Sequence, residues 1–285
     1  MHYINKFMKI IKKLPGSYGS KVELVEIDAK QYVLKTWKVA ESENEKLFLK
    51  TLGENGLPSL GVIDNSELKP NQILLEYIDG SPKLLKRIEN FIKFGQIIRR
   101  MHNIKYNDSF KINEHGEREV VEWGDFLKKA LKKGLKKQRD EKTNLGEELL
   151  KDIESFVNKH LPIKKSEFSL LHADLHLGNL LIKNNGLVVY DKNPEIFSGD
   201  GIYDFATLLT HYPNGTYIQT DNPDNRQDKE VMDNFIKGYG FDFLTHDREN
   251  FDTYFVIKAL LRYPSPWEIY SKEAIENIIL ARTPR

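Results

Sequence analysis

The sequence predicts an α+β fold in which a β-rich N-terminal segment, residues 1–78, precedes a mainly helical remainder, residues 79–285. Short β-patterned runs dominate the first segment, at Lys21 to Ile27, Gln31 to Trp37 and Gln72 to Tyr77, with turn residues between them. After Asp79-Gly80-Ser81-Pro82, a strong turn signal, apolar residues recur at helical spacing. The exception is Leu180 to Asp191, where two apolar runs flank Asn184-Asn185-Gly186 and read as a β-hairpin.

One helix interrupts the first segment. Ser42-Glu43-Asn44-Glu45 has the form of a capping box, so the helix is expected to begin at Ser42, run through Leu47, Phe48, Leu49 and Leu52, and stop near Gly53 and Gly56. The expected order there is strand, strand, strand, helix, strand, strand. Further on, Phe91, Phe94, Ile98 and Met101 share one face of a helix ending near His102, itself expected to be a satisfied core histidine. Helical patterns recur at Trp123 to Lys137, Glu147 to Leu161 and Lys229 to Lys237.

Composition excludes several function classes. With 285 residues the chain is long enough for one large domain or two unequal ones, at about 100–200 residues each. Lys+Arg total 43 against 42 Asp+Glu, so no net field draws the molecule to nucleic acid or an anionic membrane. The absence of cysteine removes disulfides, thiolate metal sites and a cysteine nucleophile. The longest apolar runs are four residues, which excludes a spanning helix of about 20, and no secretory leader pattern is visible. A cytoplasmic location without a membrane partner is the expectation. The basic run Lys128 to Arg139 suggests an RNA- or anion-binding module, but Leu127, Ala130, Leu131 and Leu135 form a core stripe beneath it and no aromatics interleave. No nucleic-acid partner is expected.

Chemistry concentrates in Leu170-Leu-His-Ala-Asp-Leu-His-Leu-Gly-Asn-Leu-Leu-Ile182 and Val188-Val-Tyr-Asp191. Asp174, Asn179 and Asp191 lie on loops beside the hairpin, and a carboxylate with an amide so placed suits Mg²⁺, a hard cation that prefers oxygen ligands. A second carboxylate is then left to accept a proton. His172 and His176 invite a zinc reading, which lacks a third convergent ligand. No Gly-Lys dipeptide occurs, which excludes a Walker P-loop.

His172-x-Asp174-x-x-x-x-Asn179, then Asp191, then Gly199-Asp200-x-x-Tyr203-Asp204-Phe205-Ala206, resembles the aminoglycoside phosphotransferase family, whose members have the two-lobed protein-kinase-like fold. Upstream, Leu14-Pro-Gly16-Ser17-Tyr-Gly19 resembles a nucleotide-covering loop, Tyr32-Val-Leu-Lys35 the strand bearing the phosphate-binding lysine, and Leu74-Leu-Glu76-Tyr-Ile78 the hinge between lobes. The resemblance makes Asp174 the catalytic base or orienter of the acceptor hydroxyl, Asn179 and Asp191 the Mg²⁺ ligands, and Gly16, Ser17, Gly19, Lys35, Glu76 and Ile78 nucleotide contacts. Glu45, or its neighbour Glu43, would pair with Lys35, and Asp204 would support the catalytic loop. The implied reaction is transfer of the γ-phosphoryl of ATP or GTP to a small-molecule hydroxyl.

An aminoglycoside antibiotic is the first acceptor suggested. Residues Asp221 to Asp252 hold nine acidic against four basic side chains, which suits a cationic acceptor. The alternatives are a kinase of a sugar, amino alcohol or other metabolite, and a pseudokinase-like nucleotide-binding protein. Asp191 leads into Lys192-Asn-Pro-Glu195 where many relatives carry an aromatic–acid pair, leaving Glu195 as either a pocket carboxylate or an exposed one.

Overall fold

A computed structural model describes residues 8–16, 19–79, 88–161, 163, 165–183, 186–211, 223–263 and 271–282. Along the chain run β1 (Lys9–Leu14), β2 (Lys21–Ile27), β3 (Lys30–Thr36), α1 (Val39–Glu54), β4 (Gln72–Glu76), α2 (Ile88–His102), β5 (Lys105–Tyr106), β6 (Phe110–Ile112), β7 (Arg118–Val120), α3 (Trp123–Asp140) and α4 (Glu147–His160). There follow β8 (Phe168–Leu170), a 3₁₀ turn at Leu177–Asn179, β9 (Leu180–Lys183), β10 (Gly186–Val189), β11 (Ser198–Gly199), α5 (Ile202–His211), α6 (Pro223–Tyr239), α7 (Phe243–His246), α8 (Arg248–Arg262) and α9 (Ser271–Arg282). The α+β prediction holds. Among the described residues no helix is long and apolar enough to cross a membrane.

The chain forms two compact units that are discontinuous in sequence. The first comprises residues 1–85, 111–119 and 177–197. Its sheet is antiparallel in the order β1-β2-β3-β4. The register pairs Lys35 with Val22 and Ile73, and Val33 with Leu24 and Leu75. Because side chains alternate across a strand, Lys35 and Val33 share a face, while Val25, Ile27, Leu34 and Leu74 form an apolar cluster. In place of a fifth strand, the described residues between α1 and β4 make two isolated bridges, Val62 with Leu75 and Ser59 with Val189.

The capping-box expectation is corrected here. The helix begins a turn earlier, with Lys38 at its N-cap, and Ser42 donates its backbone N–H to the Lys38 carbonyl as an interior helical residue. The reason is burial: Ser42, Asn44, Glu45, Phe48, Leu49 and Leu52 make the inward face of α1, so Glu45 is held inside the unit and is not available to cap the N-terminus. The stop is as expected. Gly56 takes a φ of 64°, and Leu57 donates to the Leu52 carbonyl, closing the helix with a left-handed residue.

The second unit comprises residues 86–110, 120–176 and 198–285. It is mainly helical, but contains the short strands β5, β8 and β11, with Ser198 paired to Leu170 and to Phe110. Strands of two or three residues have no legible period, which is why the hairpin of β9 and β10 was the only β-structure expected beyond residue 80. Leu127, Ala130, Leu131 and Leu135 are buried, as the stripe on α3 predicts. Helices α2 and α6 cross at two glycines. A Cβ on Gly238 would lie 2.0 Å from the Ile92 carbonyl oxygen, and one on Gly95 would lie 2.2 Å from that of Phe235.

The loop after β8 is clamped by this unit. Asp204, fully buried on α5, accepts the backbone N–H groups of His172, at 2.8 Å, and Ala173, and its carboxylate lies 3.2 Å from His102 Nε2. The other ring nitrogen of His102 lies 3.1 Å from the Tyr239 hydroxyl. Lys258, buried on α8, donates to the Ala173 carbonyl at 2.9 Å. Ala173 thereby holds a φ of 62°, a region that costs a non-glycine residue about 1–3 kcal/mol unless its surroundings enforce it. Burial raises the Asp204 carboxyl, but its hydrogen bonds and the neighbouring histidines hold it below the usual range.

Two predictions follow from this packing. Gly238→Ala should lower stability by about 2 kcal/mol, because overpacking outweighs the gain in helix propensity, whereas Gly53→Ala, with 3.6 Å to its nearest atom, should raise it by about 0.5–1 kcal/mol. Denaturant unfolding of both variants checks the opposite signs. Asp204→Asn should cost about 3 kcal/mol at neutral pH. Since the folded carboxyl is depressed, its contribution is complete above the unfolded value of about 3.9 and is lost as pH falls through the lower folded value, so the gap between variant and wild type should close only below about pH 4.

Candidate active site

Within the first unit a cavity of about 470 Å³ opens beside the sheet. Val22, Val33, Leu60 and Leu75 line it with apolar surface, joined by Leu181 of β9. Lys35, Glu45, Asn179 and Asp191 supply charged and polar wall, and Gly16, Glu76, Tyr77 and Ile78 are also among the lining residues. The cavity thus has an apolar side and a charged side, the latter centred on Lys35 and its carboxylate neighbours.

Lys35 is the centre of the polar wall. Its Nζ lies 2.7 Å from Glu45 Oε2 and 2.5 Å from Asp191 Oδ1, and 4.6 Å from the centre of the Trp37 ring. Glu45 is thus the partner; Glu43 instead pairs with Lys46 at 3.6 Å. Burial disfavours the ammonium, but the two carboxylates outweigh it and hold Lys35 above its ordinary value. Asp191 adopts a φ of 55°, a second left-handed non-glycine residue. The segment after it is anchored by Lys192, which is buried, donates to the carbonyls of Asn193 (2.6 Å) and Ile196, and lies 5.5 Å from the Phe197 ring centre. Asn44 on α1 donates to the Pro194 carbonyl at 3.3 Å. The helix bearing Glu45 and the loop bearing Asp191 are therefore fixed to each other independently of Lys35.

The other expected nucleotide contacts fall differently. Gly19 has a φ of 87° beside Trp37 and is not among the cavity-lining residues. Ser17 lies outside the described residues. The Glu76 carboxylate is engaged by Lys183 at 2.6 and 2.7 Å and by the Gly61 N–H at 2.8 Å. Glu195 is exposed and does not line the cavity.

In the second unit, Asp174 follows the clamped Ala173. Its Oδ1 accepts from Arg262 of α8 and its Oδ2 lies 3.5 Å from His176 Nε2. The His172 ring accepts the Asp174 backbone N–H at 3.3 Å. Burial raises this carboxyl, yet His176, Arg262 and His172 together depress it far below the usual carboxylate range, so Asp174 is anionic at any physiological pH. Several acidic residues of the 221–252 segment are engaged internally: Asp233 with Lys229, Asp247 with Lys165, Glu249 with His160 and Asp252 with Arg248.

Sequence reasoning missed Arg262, Lys258, Lys183 and Lys192. The first two act on the 172–174 loop from more than 80 positions away, and no local pattern marks them. Lys192 was visible as a departure from the expected pair, without a sign of its burial.

Comparison with known proteins places these residues in context. A search of curated proteins by sequence gives no match. Among solved structures, the chain is similar to aminoglycoside phosphotransferase APH(4)-Ia (TM-score 0.69, 12% identity, covering 98% of this chain and 95% of that one). It is similar also to the amicoumacin kinase hAmiN (0.63, 16%, 95% and 88%) and to spectinomycin phosphotransferase APH(9)-Ia (0.58, 14%, 96% and 89%). These likenesses establish the kinase-like fold. The model of the phosphotransferase enzyme family matches residues 10–247, most of the chain, and with the fold described above this makes the protein a small-molecule kinase that belongs to that family.

Proposed function

We propose that the protein transfers the γ-phosphoryl group of ATP, with GTP as the alternative donor, to a hydroxyl of a small molecule. The observation that carries this reading is the Lys35 ammonium held between Glu45 and Asp191 on the wall of the first unit's cavity. A buried cation so fixed is arranged to meet phosphate oxygens without reorganising, the kind of preorganised electrostatics that phosphoryl transfer needs. Solved structures of similar fold hold ADP with hygromycin B, ADP with spectinomycin, and AMP-PNP with Ca²⁺ and Ami, which supports a nucleotide and a small acceptor.

In this reading the apolar cavity wall takes the base, and the backbone at Glu76 to Ile78 borders it. Gly16 allows the chain to approach closely, since a Cβ there would lie 2.8 Å from the Ser20 carbonyl oxygen. Asn179 and Asp191 both line the cavity, and an amide oxygen with a carboxylate is a donor set that fits Mg²⁺ completed by phosphate and water; they would hold it. The ion, when bound, neutralises phosphate charge. Asp174 accepts the hydrogen bond of the attacking hydroxyl and orients it; as the new O–P bond forms and the γ-phosphoryl leaves ADP, the hydroxyl proton passes to Asp174 and on to solvent. Its depressed proton affinity makes it an orienter first, which a loose transition state tolerates.

For the acceptor, the resemblance puts an aminoglycoside first, with a sugar or amino alcohol as the other reading. The internal pairing of the described acidic residues between Asp233 and Asp252 weakens the argument from acidity, so the reading is committed to a hydroxyl-bearing small molecule and the antibiotic is one arm of its test.

Incubation with Mg²⁺-ATP and a panel of aminoglycosides, sugars and amino alcohols, followed by ADP measurement and mass spectrometry, should reveal one product heavier by a phosphoryl group. Asp174→Asn should lower kcat by about 10³-fold with nucleotide affinity retained. Turnover near the wild-type rate in that variant would refute the role. Lys35→Met should behave differently, weakening Mg²⁺-ATP binding at least 10-fold by isothermal titration, and unchanged binding would remove Lys35 from the nucleotide site.

A further inference from the structure

Arg262 occupies an unusual place, because its guanidinium sits on the carboxylate to which the attacking hydroxyl must come. Helix termini attract basic residues for a simpler reason, to satisfy the last carbonyls, so that explanation is weighed first. Here it is already met by α3. Gln138 donates to the carbonyls of Leu260, at 2.6 Å, and Tyr263, at 2.7 Å, while Lys137 donates to Leu261 at 3.0 Å and Arg262 at 3.4 Å. Close packing fixes the same turn, since a Cβ on Gly134 would lie 2.9 Å from Leu260 Cβ. The end of α8 is therefore a rigid mount from which the Arg262 side chain reaches Asp174, with about a quarter of its surface, 24%, still exposed.

Around the 172–174 loop, Arg262 and His176 face the two oxygens of Asp174, the buried Lys258 holds the Ala173 carbonyl, and the buried Asp204 carboxylate accepts from the His172 and Ala173 backbone, so that Arg262 is the cation applied directly to the Asp174 carboxylate from α8. An ammonium next to the reacting hydroxyl would come within a few ångströms of a fixed guanidinium in a partly desolvated place, where like charges repel strongly. A carboxylate or phosphate there would instead find a planar donor fork that matches its geometry. Drawing the guanidinium toward such a group would also relax its hold on Asp174 Oδ1 and leave that oxygen for the hydroxyl.

We propose that Arg262 determines acceptor specificity, selecting a hydroxyl compound that carries an anionic group, carboxylate or phosphate, near the reacting hydroxyl. This rests on the phosphotransferase reading of Asp174, and the two can fail separately.

The experiment measures kcat/KM with Mg²⁺-ATP for two matched sets. The first set is glycerol, glycerate, glycerol 3-phosphate and 3-amino-1,2-propanediol. The second is glucose, glucuronate, glucose 6-phosphate and glucosamine, with kanamycin added. Wild type, Arg262→Gln and Arg262→Lys are compared, each checked for unchanged Mg²⁺-ATP affinity so that misfolding is excluded. An anionic member should be the best substrate of its set, and the carboxylate and phosphate arms separate the two sources of charge. Arg262→Gln should lower the ratio of kcat/KM for that member to kcat/KM for the neutral member of its set at least 10-fold, mainly through KM of the anionic compound, with Arg262→Lys between. Preference for an amino compound or kanamycin overturns the proposal, as does an unchanged preference in Arg262→Gln, or no turnover of any anionic compound by a wild type that binds ATP. Failure of the wild type to bind Mg²⁺-ATP would instead take away the phosphotransferase reading, and this inference with it.

Discussion

The cavity of the first unit is organised around the buried ammonium of Lys35. Lys35 is about as enclosed as its apolar neighbours, and an ammonium taken out of water costs several kcal/mol even after relaxation. Two carboxylates offset that cost but crowd each other: full burial, and Asp191 beside it, raise the Glu45 carboxyl, so a negative charge there is disfavoured unless more positive charge is at hand. The arrangement is thus incomplete as an ion cluster. A second cation beside Asp191 would balance it, and the phosphates that Lys35 would meet balance that cation in turn. Electrostatics that are unsatisfactory for stability alone become consistent once a metal–nucleotide complex is added, which is why the cluster is better explained by function than by folding.

The two non-glycine residues that take left-handed backbone at the candidate site, Ala173 and Asp191, belong to the same logic. Each sits next to, or is itself, a carboxylate assigned to the chemistry. Each is held by groups that do no chemistry: Asp204 and Lys258 grip the Ala173 peptide, and Lys192 anchors the segment after Asp191 beneath α1. Strain of this size persists only where surrounding hydrogen bonds over-determine it. The buried His102, read from sequence as a satisfied core histidine, is one: one ring nitrogen faces the Asp204 carboxylate that grips the loop and the other the Tyr239 hydroxyl.

How much of this was legible follows from the range over which each feature is encoded. Lys35, Asp174, Asn179 and Asp191 stand in short motifs whose neighbours fix the local geometry, so their strands and loops could be read in place. The helices with long apolar periods were equally plain. Ser42 was misread because a capping box is a statement about one turn, and the burial of Glu45 against Lys35, ten residues earlier and on another element, overrode it. The short strands β5, β8 and β11 left no periodic trace, and Arg262 left none either, because its partner is 88 positions away.

That difference in range bears on how one fold serves many acceptors. On the cavity wall that carries Lys35, Val22, Val33 and Leu75 are placed by one sheet register, and a slip would turn every side chain of the strand to the wrong face, so this part resists change. Arg262 instead reaches Asp174 from the end of α8, whose backbone is secured by other contacts. Replacing Arg262 would alter the charge beside Asp174, while Asp204 and Lys258 would still hold the loop that carries it. Structures with 11–16% identity to this chain hold hygromycin B, spectinomycin and Ami within the same fold, the pattern expected if acceptor choice is set by such independent residues and not by the shared catalytic frame.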